Sequence, residues 1–228
     1  KGNLNGRLQF SGDCLDVRAL KLSGDVKMDK ASLNDIPIHV SEADYSIETD
    51  QFQFVANLDE AQIQVNGPAG LGGGLDLDLK VRQIDIGKLS RILRVPDLSG
   101  NGTFTGEISS EVLLTGFLKI PEASLNGVPI GVLTADFHYE NGQVFLHPVN
   151  LSKGESDLTI NGIARIEGDI PVDFTVRVQP FQIADYVRLL AGADYPIEGV
   201  VTGNLALDGT LRALDGRAKL QIVEAEAW

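Results

Sequence analysis

The side chains able to do chemistry are few and scattered. Three histidines, His39, His138 and His147, supply imidazoles for metal ligation or proton transfer. They do not recur at equivalent positions of the duplication described below, where their counterparts are Gly131, Ser46 and Val55. Alternation puts His138 on the polar face of its strand with Asp136, and two residues do not make a metal site. The acidic pairs Asp76/Asp78 and Asp13/Asp16 are the candidates for general acid and base. Alternation with Leu75, Leu77 and Leu79 places the first pair on a solvated face, where an unshifted carboxylate is poorly suited to acid catalysis. Gly72-Gly73-Gly74 is followed by neither a P-loop Lys-Ser/Thr nor a helix, so it reads as a loop rather than a phosphate cradle. The single Cys14 excludes an internal disulfide and a cysteine metal cluster. No catalytic, cofactor-binding or metal site emerges, and the chain reads as a non-enzyme.

What remains is the apolar face of the strands. One phrase occurs twice: Ala31 to Ile38 reads ASLNDIPI and Ala123 to Ile130 reads ASLNGVPI. From Gly24 to Ile38 against Gly116 to Ile130, eight of fifteen positions are identical at a constant offset of 92. The match continues through Ala43/Ala135, Asp44/Asp136, Tyr45/Phe137, Glu48/Glu140, Gln51/Gln143 and Phe54/Leu146. This is a duplicated unit, and it sets the organisation of the chain.

Within each unit, apolar and polar residues alternate between turn signals, as in LDLDLKVRQI from Leu75 and its counterpart VDFTVRVQPF from Val172. Asn34-Asp35 and Asn126-Gly127 are hairpin turns, and Pro37 and Pro129 belong at strand starts or bulges. After the long strands the apolar period changes from 2 to 3.6, which predicts short amphipathic helices at 87–93 and 184–191. The units run from 1 to 98 and from 99 to 197, and 198–228 begins a third. The chain stops inside that third unit, so it is expected to be cut from a longer one, with any membrane anchor elsewhere.

Composition agrees. The 228 residues include 25 glycines, 9 prolines and few aromatics, and no apolar run reaches 18 residues, which predicts a soluble all-β chain. The net charge of −13 is spread along the sequence and opposes binding to nucleic acid or anionic headgroups. Fifteen or so antiparallel strands laid edge to edge span about 70 Å at about 4.8 Å each. A flat sheet of that size would expose its whole apolar face, so an elongated, curled antiparallel sheet is expected, either a U-shaped groove or a flattened sandwich.

These residues carry a resemblance. The Gly-rich strand pair, then Ala123-Ser124-Leu125-Asn126-Gly127, Pro129-Ile130-Gly131, Ala135, Tyr139, Gly142 and Leu146, resemble the repeat of the TamB and AsmA-like family of bridge-like lipid transfer proteins. The likeness covers nearly the whole chain. The first copy departs from it with Asp35 in place of the turn glycine and His39 after the Pro-Ile pair. The resemblance implies a β-taco groove in the periplasm of a diderm bacterium, in a protein anchored in the inner membrane and meeting an outer-membrane β-barrel partner. Its interior would carry phospholipid acyl chains between the membranes; the alternative is a scaffold that assists β-barrel assembly by β-augmentation. Alternation and repeat together nominate the lining: Phe52, Phe54, Leu75, Leu77, Leu79, Phe137, Leu146, Leu158, Ile160, Phe174, Val176 and Val178. Periodicity alone leaves a closed dry core and an open greasy groove both standing.

Overall fold

The structure is a computed structural model that describes residues 3–11, 21–33, 36–48, 51–68, 76–93, 97–109, 113–166, 169–184, 186, 197–211 and 213–227. These residues form one open antiparallel sheet of fifteen strands, not closed into a barrel, and one helix. The strands are β1 (Asn3–Ser11), β2 (Lys21–Leu33), β3 (Ile36–Glu48), β4 (Gln51–Leu58), β5 (Ala61–Pro68) and β6 (Leu77–Asp85). After α1 (Ile86–Leu93) come β7 (Leu98–Ser99), β8 (Asn101–Ile108), β9 (Leu114–Leu125) and β10 (Val128–Glu140). The chain closes with β11 (Gln143–Lys153), β12 (Ser156–Arg165), β13 (Pro171–Gln182), β14 (Ile197–Thr210) and β15 (Ala213–Ala227). Hydrogen-bonded order follows chain order throughout, except that the two-residue β7 leaves the path to pair with β9. The predicted all-β class is thus observed. Of the two expected helices, α1 forms one residue earlier than expected; for the second, residues 183, 184 and 186 are helical, and 185 with 187–191 lie outside the described residues.

Alternation is what makes these strands. In β6, Leu77, Leu79 and Val81 are half-buried while Asp78, Lys80 and Arg82 are exposed. In β13, Val172, Val176 and Val178 are buried and Phe174 half-buried, against exposed Asp173, Thr175, Arg177 and Gln179. With only one side buried, a one-residue slip would turn every apolar side chain to water, and this fixes register. The turns help. Asn126 and Gly127 have φ of 50° and 76°, and Asn141 and Gly142 have 49° and 77°, the pair of positive values that a two-residue type I′ hairpin requires.

The described residues fall into two compact units, Lys1–Asp85 with Thr103–Leu114, and Ile86–Gly102 with Thr115–Trp228. In the first, Tyr45, Phe54, Val65 and Leu79 stand opposite one another across β3 to β6, and Ala43, Ala56, Ile63 and Val81 form the neighbouring row. In the second, Phe137, Leu146, Gly162, Phe174 and Leu207 make one row across β10 to β14, and Ala135, Val149, Ile160, Val176 and Leu205 the next.

Between those two rows β11 is irregular. Its inward residues pass from Leu146 to Val149, an odd step, with Pro148 in the gap; β13 passes from Val178 to Phe181 in the same way, with Pro180 in the gap. Proline has no N–H to give a ladder, so it settles at the bulge. Each bulge exchanges the two faces of the strand beyond it.

Glycine is placed where a side chain would collide. A Cβ at Gly162 would strike the carbonyl of Asp173 and lie 2.8 Å from Phe174 Cδ1, so the ring of Phe174 occupies the space that glycine leaves. Gly142, at a turn, faces nothing within 4 Å. Gly162→Val is therefore expected to lower unfolding free energy by about 2 kcal/mol. Gly142→Asn, which tolerates the same turn conformation, should change it by less than about 0.5 kcal/mol. Urea titrations followed by far-ultraviolet circular dichroism check both, and equal midpoints for the two variants would refute the packing role of Gly162.

Candidate functional site

The sheet's apolar side is the extended candidate surface, and it is unevenly covered. Of the twelve nominated residues, Val176 and Val178 are buried at 5% and 7% exposure. Phe52, Phe54, Leu77, Leu79, Phe137, Leu146, Leu158, Ile160 and Phe174 are only half-buried, and Leu75 lies outside the described residues. Small neighbours in the same rows, Ala43, Ala56 and Ala135, are nearly sealed, at 3%, 5% and 6%. The bases of the rows are therefore covered by adjacent side chains while the ends of the large side chains stay in reach of solvent. In a closed sandwich core the large residues are the ones that vanish from the surface.

Within the second unit, this face is bounded by a wedge at each end of the repeat. Ile86, at the start of α1, is 3% exposed. Its N–H donates to the carbonyl of Gly100 at 3.0 Å, and its Cδ1 sits 3.3 Å from where a Cβ of Gly102 would be. Ser90, one turn later, donates to the carbonyl of Leu98 at 2.8 Å. Ile183 repeats the arrangement, with its Cδ1 at 3.3 Å from the corresponding point of Gly199. The two pairs, Ile86 with Gly102 and Ile183 with Gly199, share a spacing of 16 and are related by an offset of 97 rather than 92.

The second wedge carries the most elaborate contacts described. Tyr186 is 2% exposed; its ring stacks on Phe181 at 4.3 Å, and its hydroxyl donates to the carbonyl of Ile130 at 3.3 Å. Lys153 holds its ammonium 5.3 Å from the centre of the same ring. Ser156, fully buried, accepts the N–H of Gln182 at 2.8 Å.

The opposite face is polar, as alternation requires, with Asp76 and Asp78 both exposed. In the first unit it holds an open concavity of about 440 Å³ between Arg7, Gln9, Ser23, Asp25, Asp44, Ser46 and Gln53. In the second, the counterparts of Ser46, Gln53 and Val55 are His138, Phe145 and His147, which form a parallel stack. His138 lies 4.3 Å from Phe145 and 5.0 Å from His147, and the two imidazoles share a 3.2 Å hydrogen bond between Nδ1 of His138 and Nε2 of His147. Sequence reasoning kept these histidines apart; the hairpin between β10 and β11 joins them. Among the described residues no three His, Cys, Asp or Glu side chains are grouped to hold a metal ion, and Asp13, Asp16, Cys14 and Gly72 to Gly74 lie outside the described residues.

None of the family models, curated proteins or solved structures with which the chain was compared matches it. Among the described residues no helix is long and apolar enough to cross a membrane.

The wedge makes a separable test. Tyr186→Phe removes one hydrogen bond and should cost about 1 kcal/mol, whereas Tyr186→Ala also empties a buried site and should cost about 3–5 kcal/mol. Differential scanning calorimetry distinguishes them. Equal losses would mean that the ring packs against nothing of consequence.

Proposed function

We propose that the apolar side of the sheet is a lipid-binding surface, on which phospholipid acyl chains lie and along which they pass between two membranes. The observation that supports it is the half-burial of the large nominated side chains beside nearly sealed alanines. Such a surface is costly in water and is relieved by an alkyl chain, each methylene contributing about 0.8 kcal/mol on full burial. Alkyl chains need no hydrogen-bonding partner, and the nominated lining offers none. The periplasm as compartment and the inner and outer membranes as donor and acceptor rest on the resemblance to the TamB and AsmA-like family. Because its extended candidate feature is an apolar surface, we read the protein as a carrier rather than an enzyme.

A photoreactive residue at Leu146, one position across Gly162 from Phe174, is expected to crosslink phospholipid, and native mass spectrometry after mild extraction to find phospholipid bound. Phe174→Asp should reduce both signals by about tenfold or more, since a carboxylate cannot be desolvated beneath an alkyl chain. A folded Phe174→Asp variant that crosslinks as before would sink the proposal.

A second reading has its own observation. Leu214, Leu220, Ile222 and Val223 of β15 are 42–55% exposed, and among the described residues β15 pairs only with β14. An edge with apolar side chains and open backbone groups suits strand addition by an extended client such as a segment of an outer-membrane β-barrel. Ile222→Lys should then weaken binding of an alternating apolar strand peptide by about tenfold, read by fluorescence anisotropy, while phospholipid uptake is unchanged. Unaltered peptide affinity would exclude edge capture at β15.

A further inference from the structure

Neither the apolar surface nor the β15 edge uses the three rings on the polar face of the second unit. Ser46, Gln53 and Val55 of the first repeat correspond to His138, Phe145 and His147 of the second. All three differences fall at one spot, and two of them supply imidazoles. Alternation gives His138 only Asp136 for company; the hairpin adds a second imidazole.

The spot is made by the hairpin of β10 and β11 and by its bulge. His138 stands opposite Phe145, and the two rings lie parallel within 9° at 4.3 Å, which helps to hold the imidazole in place. The bulge sets His147 and Pro148 in the gap that faces Asp136 of β10, between the pairs Ala135/Val149 and Phe137/Leu146. A residue before proline is confined to extended backbone, so His147 is restrained as well. The outcome is two imidazoles with planes 10° apart and with Nδ1 of His138 and Nε2 of His147 separated by 3.2 Å.

That separation is at the long end for a hydrogen bond. It lies well inside the range for two ligands of one ion, since nitrogens about 2.0–2.1 Å from a metal and about 90–110° apart are about 2.9–3.4 Å from each other. We propose that His138 and His147 together bind a late first-row divalent ion of the zinc(II) kind. Imidazole suits such ions, whereas magnesium and calcium take oxygen ligands. The ion replaces the shared hydrogen: both facing nitrogens become lone-pair donors, and each ring keeps its proton on the nitrogen turned away, Nε2 of His138 and Nδ1 of His147. Among the described residues no third His, Cys, Asp or Glu is grouped with the pair, so water fills the other positions, as in an open site. His147 is exposed and His138 half-buried, which leaves the site within reach of solvent. The carboxylate of Asp136 on the same face and the net charge of −13 both favour a cation there.

Isothermal titration calorimetry of the whole chain with zinc chloride, repeated in a large excess of magnesium chloride, provides the test. One zinc per chain should bind, and magnesium should not displace it. His138→Gln and His147→Gln should each weaken zinc binding by about tenfold or more, while His39→Gln, on β3, leaves it unchanged. If His138→Gln fails to fold, His147→Gln, at the exposed position, carries the same expectation. A folded His147→Gln variant that binds zinc as before overturns the proposal, and so does an absence of zinc binding by the wild-type protein. Displacement by magnesium would assign the ion to surface carboxylates, and loss of binding in His39→Gln would assign it to another imidazole; either result overturns the pairing of His138 with His147.

Discussion

The structure depends on one constraint: every strand must spend its backbone groups on its neighbours while only one of its faces is covered. Antiparallel pairing satisfies the first demand with local connections, and strand order that follows chain order is the outcome. The second is met by register. Because side chains alternate strictly, the cross-strand rows through Phe54 and Val65 in the first unit, and through Leu146 and Phe174 in the second, exist only if every pairing is correct to the residue. Hairpins with two residues at positive φ lock the starting point of each pairing, and glycine is used where two large side chains would otherwise compete for one site in a row.

Most of the large nominated side chains are only half-buried. The compensating material is concentrated at the wedges. Ile86 over Gly102 and Ile183 over Gly199 place an aliphatic group, buried in Ile86 and half-buried in Ile183, against the backbone of a later strand, and the buried hydroxyls of Ser90 and Ser156 each have a hydrogen-bond partner. Among the described residues no buried side-chain polar atom lacks one. The wedges thus carry tight packing, and the rows between them are left for other uses.

Much of this was legible in the sequence. Alternation identified β6 and β13, the ASLN phrase identified the duplication, and Asn126-Gly127 located a turn, whereas the Asn-Gly pairs at 66–67, 101–102 and 161–162 lie inside strands. The equivalence of the two wedge segments was legible, since LDLDLKVRQI and VDFTVRVQPF align at an offset of 97; the glycine of a later strand that each isoleucine approaches, Gly102 or Gly199, was not, because it lies 16 residues on. The stack of His138, Phe145 and His147 was missed because each imidazole was compared with its copy in the other repeat rather than with its neighbour across the hairpin. The exchange of faces at Pro148 was not legible, because regular alternation carries the inward parity straight through it. Phe54 with Leu79 in the first unit, and Phe137, Leu146, Ile160, Phe174 and Val176 in the second, fall in cross-strand rows, but sequence alone left their exposure open, since that depends on what stands above the rows.

The bulges at Pro148 and Pro180 have a consequence for how such a chain changes over generations. A strand whose faces alternate is written in two interleaved frames, one for each side of the sheet, and a bulge is the point where the frames are exchanged. Gain or loss of one residue at that point rewrites the inward text downstream without altering a letter of it: Val149, Leu151 and Lys153 would trade places with Asn150 and Ser152. Elsewhere in a strand such an indel would be ruinous. At a proline bulge the ladder is already interrupted, so it offers a repeat protein a place to move a charge from one face to the other in a single step.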